Sequence, residues 1–398
     1  MNAPKLRFKE FNDEWKFDKI SNLTTYVDYR GKTPTKTETG IFLVTAKNVK
    51  KGYIDYNCSK EYVETSQYND VMHRGLPQIG DVLITTEAPC GNVAQINNIN
   101  VALAQRIIKY RGKELINNTF LKYELLSDYF QKELRKVTSG GTVSGVKGSV
   151  LHQMNINYCS KDEQIKISNF LSLLDKKIEL QTKKIEVLKL FKKGLIDKVI
   201  DNLTKYKEIQ LGELGETYSG LSGKTKEDFE KGESHYIPFV AILNNKINTN
   251  LLPIVKIDKN EMQNEVRQYD LFFNTSSETL NEVGLCSTLN NDIKNTYLNS
   301  FCFGYRIRNL KEINNEYLNI LLHSSIFRKK ISVLGQGFTR VNISKNKLME
   351  IKVLVPSYRE QLKIVSIINM ESNKLSLEEN KLLKLQELKK GLMQSMFV

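Results

Sequence analysis

The sequence predicts an α+β chain: two copies of one α/β domain separated by two long helices that pair antiparallel as a coiled coil. Three observations predict it. They are an internal repeat across the 398 residues, a change of texture inside each copy, and an apolar heptad pattern in two helical stretches.

The repeat organises everything else. Glu163-Gln164-Ile165-Lys166-Ile167 matches Glu360-Gln361-Leu362-Lys363-Ile364, and Phe191-Lys192-Lys193-Gly194-Leu195 matches Leu388-Lys389-Lys390-Gly391-Leu392. Both pairs are offset by 197, so the segments between them align without a gap. The same offset joins Asn118-Thr119-Phe120-Leu121 to Asn315-Glu316-Tyr317-Leu318, Gly140 to Gly337, and Leu151 to Leu348. Farther upstream it drifts. Gly80-Asp81-Val82-Leu83 resembles Tyr269-Asp270-Leu271-Phe272, and Gly31-Lys32-Thr33 resembles Gly223-Lys224-Thr225. A period this long means two domains and not a solenoid of short repeats. The expected boundaries are 1–160 and 204–357 for the domains, with the helices at 161–203 and 358–398.

The first part of each copy is rich in Gly, Asn, Thr and short β-branched or aromatic runs. Ile41-Phe42-Leu43-Val44, Asp81-Val82-Leu83-Ile84-Thr85 and Phe301-Cys302-Phe303-Gly304-Tyr305 read as short strands. A helix is expected at 119–136 and again at 316–332. The second part has one glycine and no proline over 161–200, and the same over 358–397. Leu171, Leu174, Ile178, Ile185, Leu188 and Leu195 fall on a seven-residue pattern, as do Ile368, Leu375, Leu382, Leu385 and Leu392. Apolar a and d positions held over nearly four heptads predict a coiled coil. Each helix would span roughly 60 Å at ~1.5 Å per residue, a rod between two heads.

The formal net charge is +14 with a pI near 9.2, a balance that favours a polyanionic partner. No apolar run approaches the roughly 20 residues of a membrane span, and the first residues lack the apolar centre of a signal peptide. The expectation is a cytoplasmic protein with no membrane partner. Five widely spaced cysteines without a CxxC pair argue for reduced thiols and against a zinc site.

Motifs for chemistry are missing. The seven prolines are never adjacent, so no Asp/Asn-Pro-Pro-aromatic loop exists to grip a flipped base. No Gly-x-Gly run follows a strand. Gly223-Lys224-Thr225 has the tail of a phosphate-binding loop, but Tyr218 stands where its leading glycine belongs. The four histidines are scattered, and Asp81 and Glu87 are isolated carboxylates. No catalytic residue, metal site or cofactor is assigned to this chain.

What the chain does offer is polar loops that recur in both copies. Thr45-Ala46-Lys47-Asn48, the loop from Thr85 and Thr86 to Asn92, and its counterpart Asn274-Thr275-Ser276 carry side chains that read base edges. Lys32, Lys36, Lys47 and Lys224 are candidates for phosphates, with Thr33 and Thr225 beside them. Asn48, Thr86, Thr275 and Ser276 are candidates for bases. Gly140 and Thr142, with Gly337 and Arg340, lie on glycine-rich loops that bring backbone close to a phosphodiester strand. The helices align without gaps while the loops diverge. Two heads with one frame and different loops predict a split, asymmetric target of two specified halves around an unspecified spacer.

These residues resemble the DNA specificity subunit of type I restriction–modification systems over essentially the full length. The resemblance rests on Pro4-Lys5-Leu6-Arg7-Phe8-Lys9-Glu10-Phe11 with Trp15, on Gly31-Lys32-Thr33-Pro34, and on the run Gly80 to Pro89 with Gly91-Asn92-Val93-Ala94. Leu103-Ala104-Gln105-Arg106, Glu163-Gln164 and Glu360-Gln361 complete it. The second copy departs, with Ser276-Ser277-Glu278 for Glu87-Ala88-Pro89 and Gly304-Tyr305-Arg306 for Ala-Gln-Arg. The resemblance implies two target-recognition domains on double-stranded DNA. It also implies docking of two modification subunits that methylate adenine at N6, joined by restriction subunits. S-adenosylmethionine, ATP and magnesium would all sit in those partners. Leu171, Leu174, Ile178, Lys193, Leu375, Leu382 and Lys390 on the helices are the candidates for binding them. Two rival readings are a coiled-coil adaptor that binds protein without reading DNA, and a fused nuclease or methyltransferase.

Overall fold

The computed structural model describes residues 3–31, 34–139, 144–258, 260–337 and 339–398. The chain forms two compact units, Met1–Thr182 with Asn380–Val398, and Lys183–Glu379.

The repeat returns strand by strand. In the first unit an antiparallel sheet runs in the order Thr24–Asp28, Ile107–Gly112, Val82–Thr85, Val93–Gln95. Its counterpart in the second unit is Gly215–Ser219, Cys302–Ile307, Leu271–Asn274, Cys286–Thr288. A three-stranded sheet accompanies each. It is built from Tyr62–Val63, Ile41–Val44 and Val101–Leu103 in one unit, and from Ile254–Val255, Phe229–Ile237 and Thr296–Leu298 in the other. The last two strands run parallel in both.

The continuous apolar runs now have a reason. Val82–Thr85 and Leu271–Asn274 are buried along their whole length, with a core on each face. Because successive side chains point to opposite faces, Val82 and Ile84 enter one core and Leu83 the other. Leu271 and Phe273 divide from Phe272 in the same way.

The single helix expected at 119–136 is two, Asn118–Leu126 and Asp128–Val137. Ser127 adopts an extended backbone between them, and its Oγ accepts the Phe130 N–H at 3.1 Å, which caps the second helix. Ser324 does the same between Asn315–Leu322 and Ser325–Ser332. A capping serine inside an otherwise helical pattern was the signal for this break.

The long helices are Lys161–Asp201 and Tyr358–Met396, and each contributes to both units. In the first unit Ile167 and Leu171 share a core with Met396 and Phe397; in the second, Ile196 and Ile200 share one with Ile364 and Ile368. In both the start of one helix lies beside the end of the other, so the pairing is antiparallel. Asp175 meets Lys389 at 2.5 Å in the first unit, and Lys184 meets Glu378 at 2.6 Å in the second. Along the two helices Leu171, Ile185, Ile368 and Leu385 are buried, with Leu174, Ile178, Leu188, Leu375 and Leu382 half-buried. Among the described residues no helix is long and apolar enough to cross a membrane.

The repeated Glu-Gln at the start of each long helix is a fastening. Gln164 is fully buried; its Oε1 accepts the Asn117 N–H at 2.8 Å, and its Nε2 donates to the carbonyls of Leu115 and Cys159. Gln361 repeats this with Asn314, Glu312 and Pro356. Asn117 and Asn314 are in turn the caps of the short helices above. One glutamine thus ties each long helix to its unit. Glu163 is held by both nitrogens of the Arg7 fork, at 2.7 and 2.8 Å, which pins the first segment of the chain to the helix.

One carboxyl breaks the symmetry. Glu124 is fully buried where the repeat has Leu321, and burial pushes its carboxyl up to about 8 despite the Asn157 N–H it accepts at 2.9 Å. The unfolded group ionises near 4.5, so the folded state holds an extra proton between the two values. Stability therefore falls as pH rises through that window. Glu124→Gln is expected to flatten the slope and stabilise the first unit around pH 8 by ~2 kcal/mol. Denaturant midpoints against pH check it, and an unchanged profile would contradict a buried carboxyl.

Candidate nucleic-acid interface

Each unit carries a buried acid–arginine brace beneath its loops. Asp81 accepts from Arg111 Nε and Nη2 at 2.7 and 2.8 Å and from the Gln78 N–H at 2.8 Å. Lys109 lies 3.5 Å from it, and burial holds that ammonium below its usual value against the pull of Asp81. Asp270 accepts from Arg306 Nε and Nη2 at 2.9 and 2.7 Å, from the Arg267 N–H, and from the Tyr218 hydroxyl at 2.6 Å. Both carboxylates are buried and saturated. Their hydrogen bonds tie neighbouring strands of the sheet together.

Above the brace three segments meet at one junction, built by the same backbone bonds in both copies. The Thr86 N–H donates to the Arg106 carbonyl at 3.0 Å, and the Thr86 carbonyl accepts the Val146 N–H at 2.9 Å. The Thr275 N–H donates to the Phe301 carbonyl at 3.1 Å, and the Thr275 carbonyl accepts the Ile343 N–H at 2.9 Å. Gly91 and Gly284 close the loops at φ +84° and +66°. A Cβ at either would strike Leu134 or Ile331, themselves equivalent in the repeat. Between these fixed points the loops differ. Thr85 pairs with Asn92, seven positions on, whereas Asn274 pairs with Leu285, eleven positions on. The longer loop adds a sheet of Ser276–Ser277, Val341–Ile343 and Gly335–Gln336.

Several candidate readers are turned inward. Asn48 is buried: its Oδ1 accepts from the Thr45 N–H and hydroxyl, and its Nδ2 donates to the carbonyls of Asp55 and Ser59. It holds its loop together and presents no edge to a base. Thr85 and Thr86 are buried too, Thr85 Oγ accepting the Asn92 N–H. Asn274 and Ser276 are buried at the root of the second loop, where Asn274 Oδ1 and Ser276 Oγ have no hydrogen-bond partner. Thr275 is half-buried and donates to the Phe301 carbonyl.

The candidate cations divide as well. The Lys224 side chain is buried on Glu261, and Thr225 caps a short helical turn by bonding Asp228. Lys36 pairs with Glu61 at 2.7 Å. Lys47 is exposed. Gly337 has φ +121°, and a Cβ there would strike the Arg340 carbonyl; Arg340 is exposed with its guanidinium over the Phe301 ring at 5.6 Å. Lys32, Thr33, Gly140 and Thr142 lie outside the described residues.

The structure brings other residues to the junction. Arg106 forms a half-exposed pair with Glu87 at 2.8 Å. Arg30 is gripped by Asp28 at 2.5–3.0 Å and feels the charge of Glu87 as well. Partial burial opposes ionisation of Asp28, but the Arg30 hydrogen bonds outweigh it and hold that carboxyl below its ordinary range. Arg74 clamps the same loop through the carbonyls of Asp28 and Arg30. Exposed Lys147 adjoins the junction at Val146. The sequence signal for Arg30, Arg74 and Arg106 was the arginine itself, which forks onto phosphates and guanines better than lysine.

Two successive stretches, residues 12–190 and 204–387, match the family of the type I restriction modification DNA specificity domain. The chain is 28% identical over 232 residues to the type I restriction enzyme MjaIX specificity subunit of Methanocaldococcus jannaschii, covering 51% of this chain and 52% of that one. It is 22% identical to the MjaVIII specificity subunit of the same organism, covering 97% of this chain and 94% of that one. Its fold is similar to the crystal structure of the S subunit of the M. genitalium type I system, at a TM-score of 0.58 and 19% identity over 100% of this chain and 99% of the other. With both repeats matched and the strand order duplicated, the chain belongs to the type I restriction–modification DNA specificity family.

Proposed function

We propose that this chain is the non-catalytic, DNA-reading subunit of a cytoplasmic restriction–modification complex, with one half of a split asymmetric target read by each unit. The observation that carries this is the junction. One backbone frame, repeated bond for bond, presents Arg106 and Glu87 in one copy and Phe301 and Arg340 in the other. A shared frame with different contents is what two different half-sites require. The net charge of +14 supplies attraction to phosphates.

The same reading assigns the helices to the modification subunits. Of the residues expected there, Leu171 is buried, Leu174, Ile178, Leu375 and Leu382 are half-buried, and Lys193 and Lys390 are exposed. The apolar residues left to solvent are others. The first unit exposes Leu173 at 69%, with Leu180 and Leu388, and the second exposes Met370 at 69%, with Leu377 and Phe191. These sets are equivalent under the repeat, so each unit offers one copy of the same face to one modification subunit. Gly194 and Gly391, three residues from Phe191 and Leu388, are exposed, and a Cβ added at either would meet no other segment within 4 Å, which leaves room for a close backbone approach. S-adenosylmethionine, ATP and magnesium belong to the partners, and restriction subunits join through the modification subunits.

Single-molecule sequencing of adenine methylation, in a host expressing this chain with its modification subunit, tests the proposal. The expected result is a new split motif that disappears when this chain is omitted. A folded complex that marks no motif would favour the protein adaptor, and a motif made by this chain alone would mean an active site within it.

A further inference from the structure

We infer that Arg106 and Glu87 together read one G·C pair in the half-site of the first unit. The second unit, with Phe301 and Ser276 at the equivalent backbone positions, reads a different base pair there. The inference rests on the DNA-reading function proposed above and assigns the chemistry of its first half-site.

Three observations carry it. First, the position is fixed: the Arg106 carbonyl is bonded to the Thr86 N–H, and Glu87 bridges to Gly145 across the junction. The backbone under both side chains is therefore held from two directions. Second, the side chains are available. Arg106 Nε lies 2.8 Å from Glu87 Oε1, with the side chains 51% and 44% exposed. An exposed pair of this kind is worth ~1 kcal/mol or less, so it orients the two groups and yields easily to a better partner. Third, the pair contains an acid. An arginine alone at this edge suits a phosphate, but a carboxylate beside a phosphate is repelled, and Glu87 would weaken such a contact. A base edge reverses that argument. In the major groove guanine presents two acceptors, O6 and N7, and cytosine presents the N4 donor. A guanidinium fork beside a carboxylate offers donors to the first and an acceptor to the second. An A·T pair sets the adenine N6 donor between its two acceptors, N7 and O4, with a methyl group beside O4, so it offers no adjacent pair of acceptors to the fork.

The second unit lacks that pattern. Phe301 is exposed at the position of Arg106, Ser276 at that of Glu87 is buried, and the nearby cation is Arg340, lying over the Phe301 ring. An aromatic face there meets a thymine methyl in place of a guanine edge.

The test compares methylation motifs of complexes carrying Arg106→Ala, Arg106→Lys or Glu87→Gln with that of the unaltered complex. One G·C position in one half-site is expected to lose discrimination by about tenfold or more in Arg106→Ala, with the other half-site unchanged. Arg106→Lys keeps the charge and loses the fork, so it relaxes the same position; it also decides the matter should the alanine variant not assemble. A motif unchanged in all three variants would overturn the inference. So would relaxation at an A·T position, or a uniform weakening of every position with a shallower salt dependence, the mark of a phosphate contact. Failure of the underlying function is distinct, because then the unaltered complex marks no split motif.

Discussion

Asp270→Ala is expected to destabilise the second unit by ~3–5 kcal/mol, because it removes one partner of a buried ion pair and leaves the other charged and unpaired. Arg306 would lose two hydrogen bonds, and the Tyr218 hydroxyl and Arg267 N–H one each. Tyr218 depends on this brace for its place. Its ring lies across Gly304 on the neighbouring strand, where any Cβ would fall 2.0 Å from it. Hydrogen exchange of the Cys302–Ile307 amides reads the effect locally, and the strand Ile107–Gly112 of the first unit serves as the control. Protection lost equally in both strands would mean that the brace is not local. Unchanged protection would mean that water replaces the carboxylate at no cost. Combining Asp270→Ala with Arg306→Met is expected to recover part of the loss, since the unpaired charge is then gone.

The second large effect concerns assembly. Leu173→Glu with Leu180→Glu places two charges on a face already open to solvent, so the melting temperature of the chain is expected to hold. Affinity for one modification subunit is expected to fall by about 100-fold, the ~2.7 kcal/mol of a typical hot spot. The complex would then carry a single modification subunit, measurable by its mass in solution. Met370→Glu with Leu377→Glu is the mirrored experiment on the second unit. If both pairs of substitutions leave two modification subunits bound, the docking face lies elsewhere. If the chain itself melts early, these leucines belong to the internal seam after all.

Much of the architecture was legible without coordinates, and specific residues show why. The Glu-Gln segment recurs at an offset of 197 because the same glutamine must reach the same three backbone groups in both copies. The heptads of Leu171 to Leu195 and Ile368 to Leu392 were legible because a seam admits apolar residues at a fixed period. The drift of that offset upstream was visible as well, and its cause is in part the longer loop between Asn274 and Leu285.

The site was less legible, for a physical reason. Residue type says that a side chain can donate or accept, but not whether the backbone has already claimed it. Asn48, Thr85, Asn274 and Ser276 have the composition of base readers and are buried within their loops. Lys224 has the charge of a phosphate contact and is spent on Glu261. Arg106, quoted only as part of a motif, stands half-exposed beside Glu87.

The sequence by itself determined what depends on period and pattern: two copies, two long helices and the family. Only the tertiary structure decided which polar groups remain free. That choice is made by hydrogen bonds between segments far apart in the chain, Thr86 to Arg106 and Val146, Gln164 to Asn117, Asp81 to Arg111. Burial enforces those bonds, since an unpaired polar group inside costs ~1–3 kcal/mol. The surface is then left to the side chains such bonds do not need.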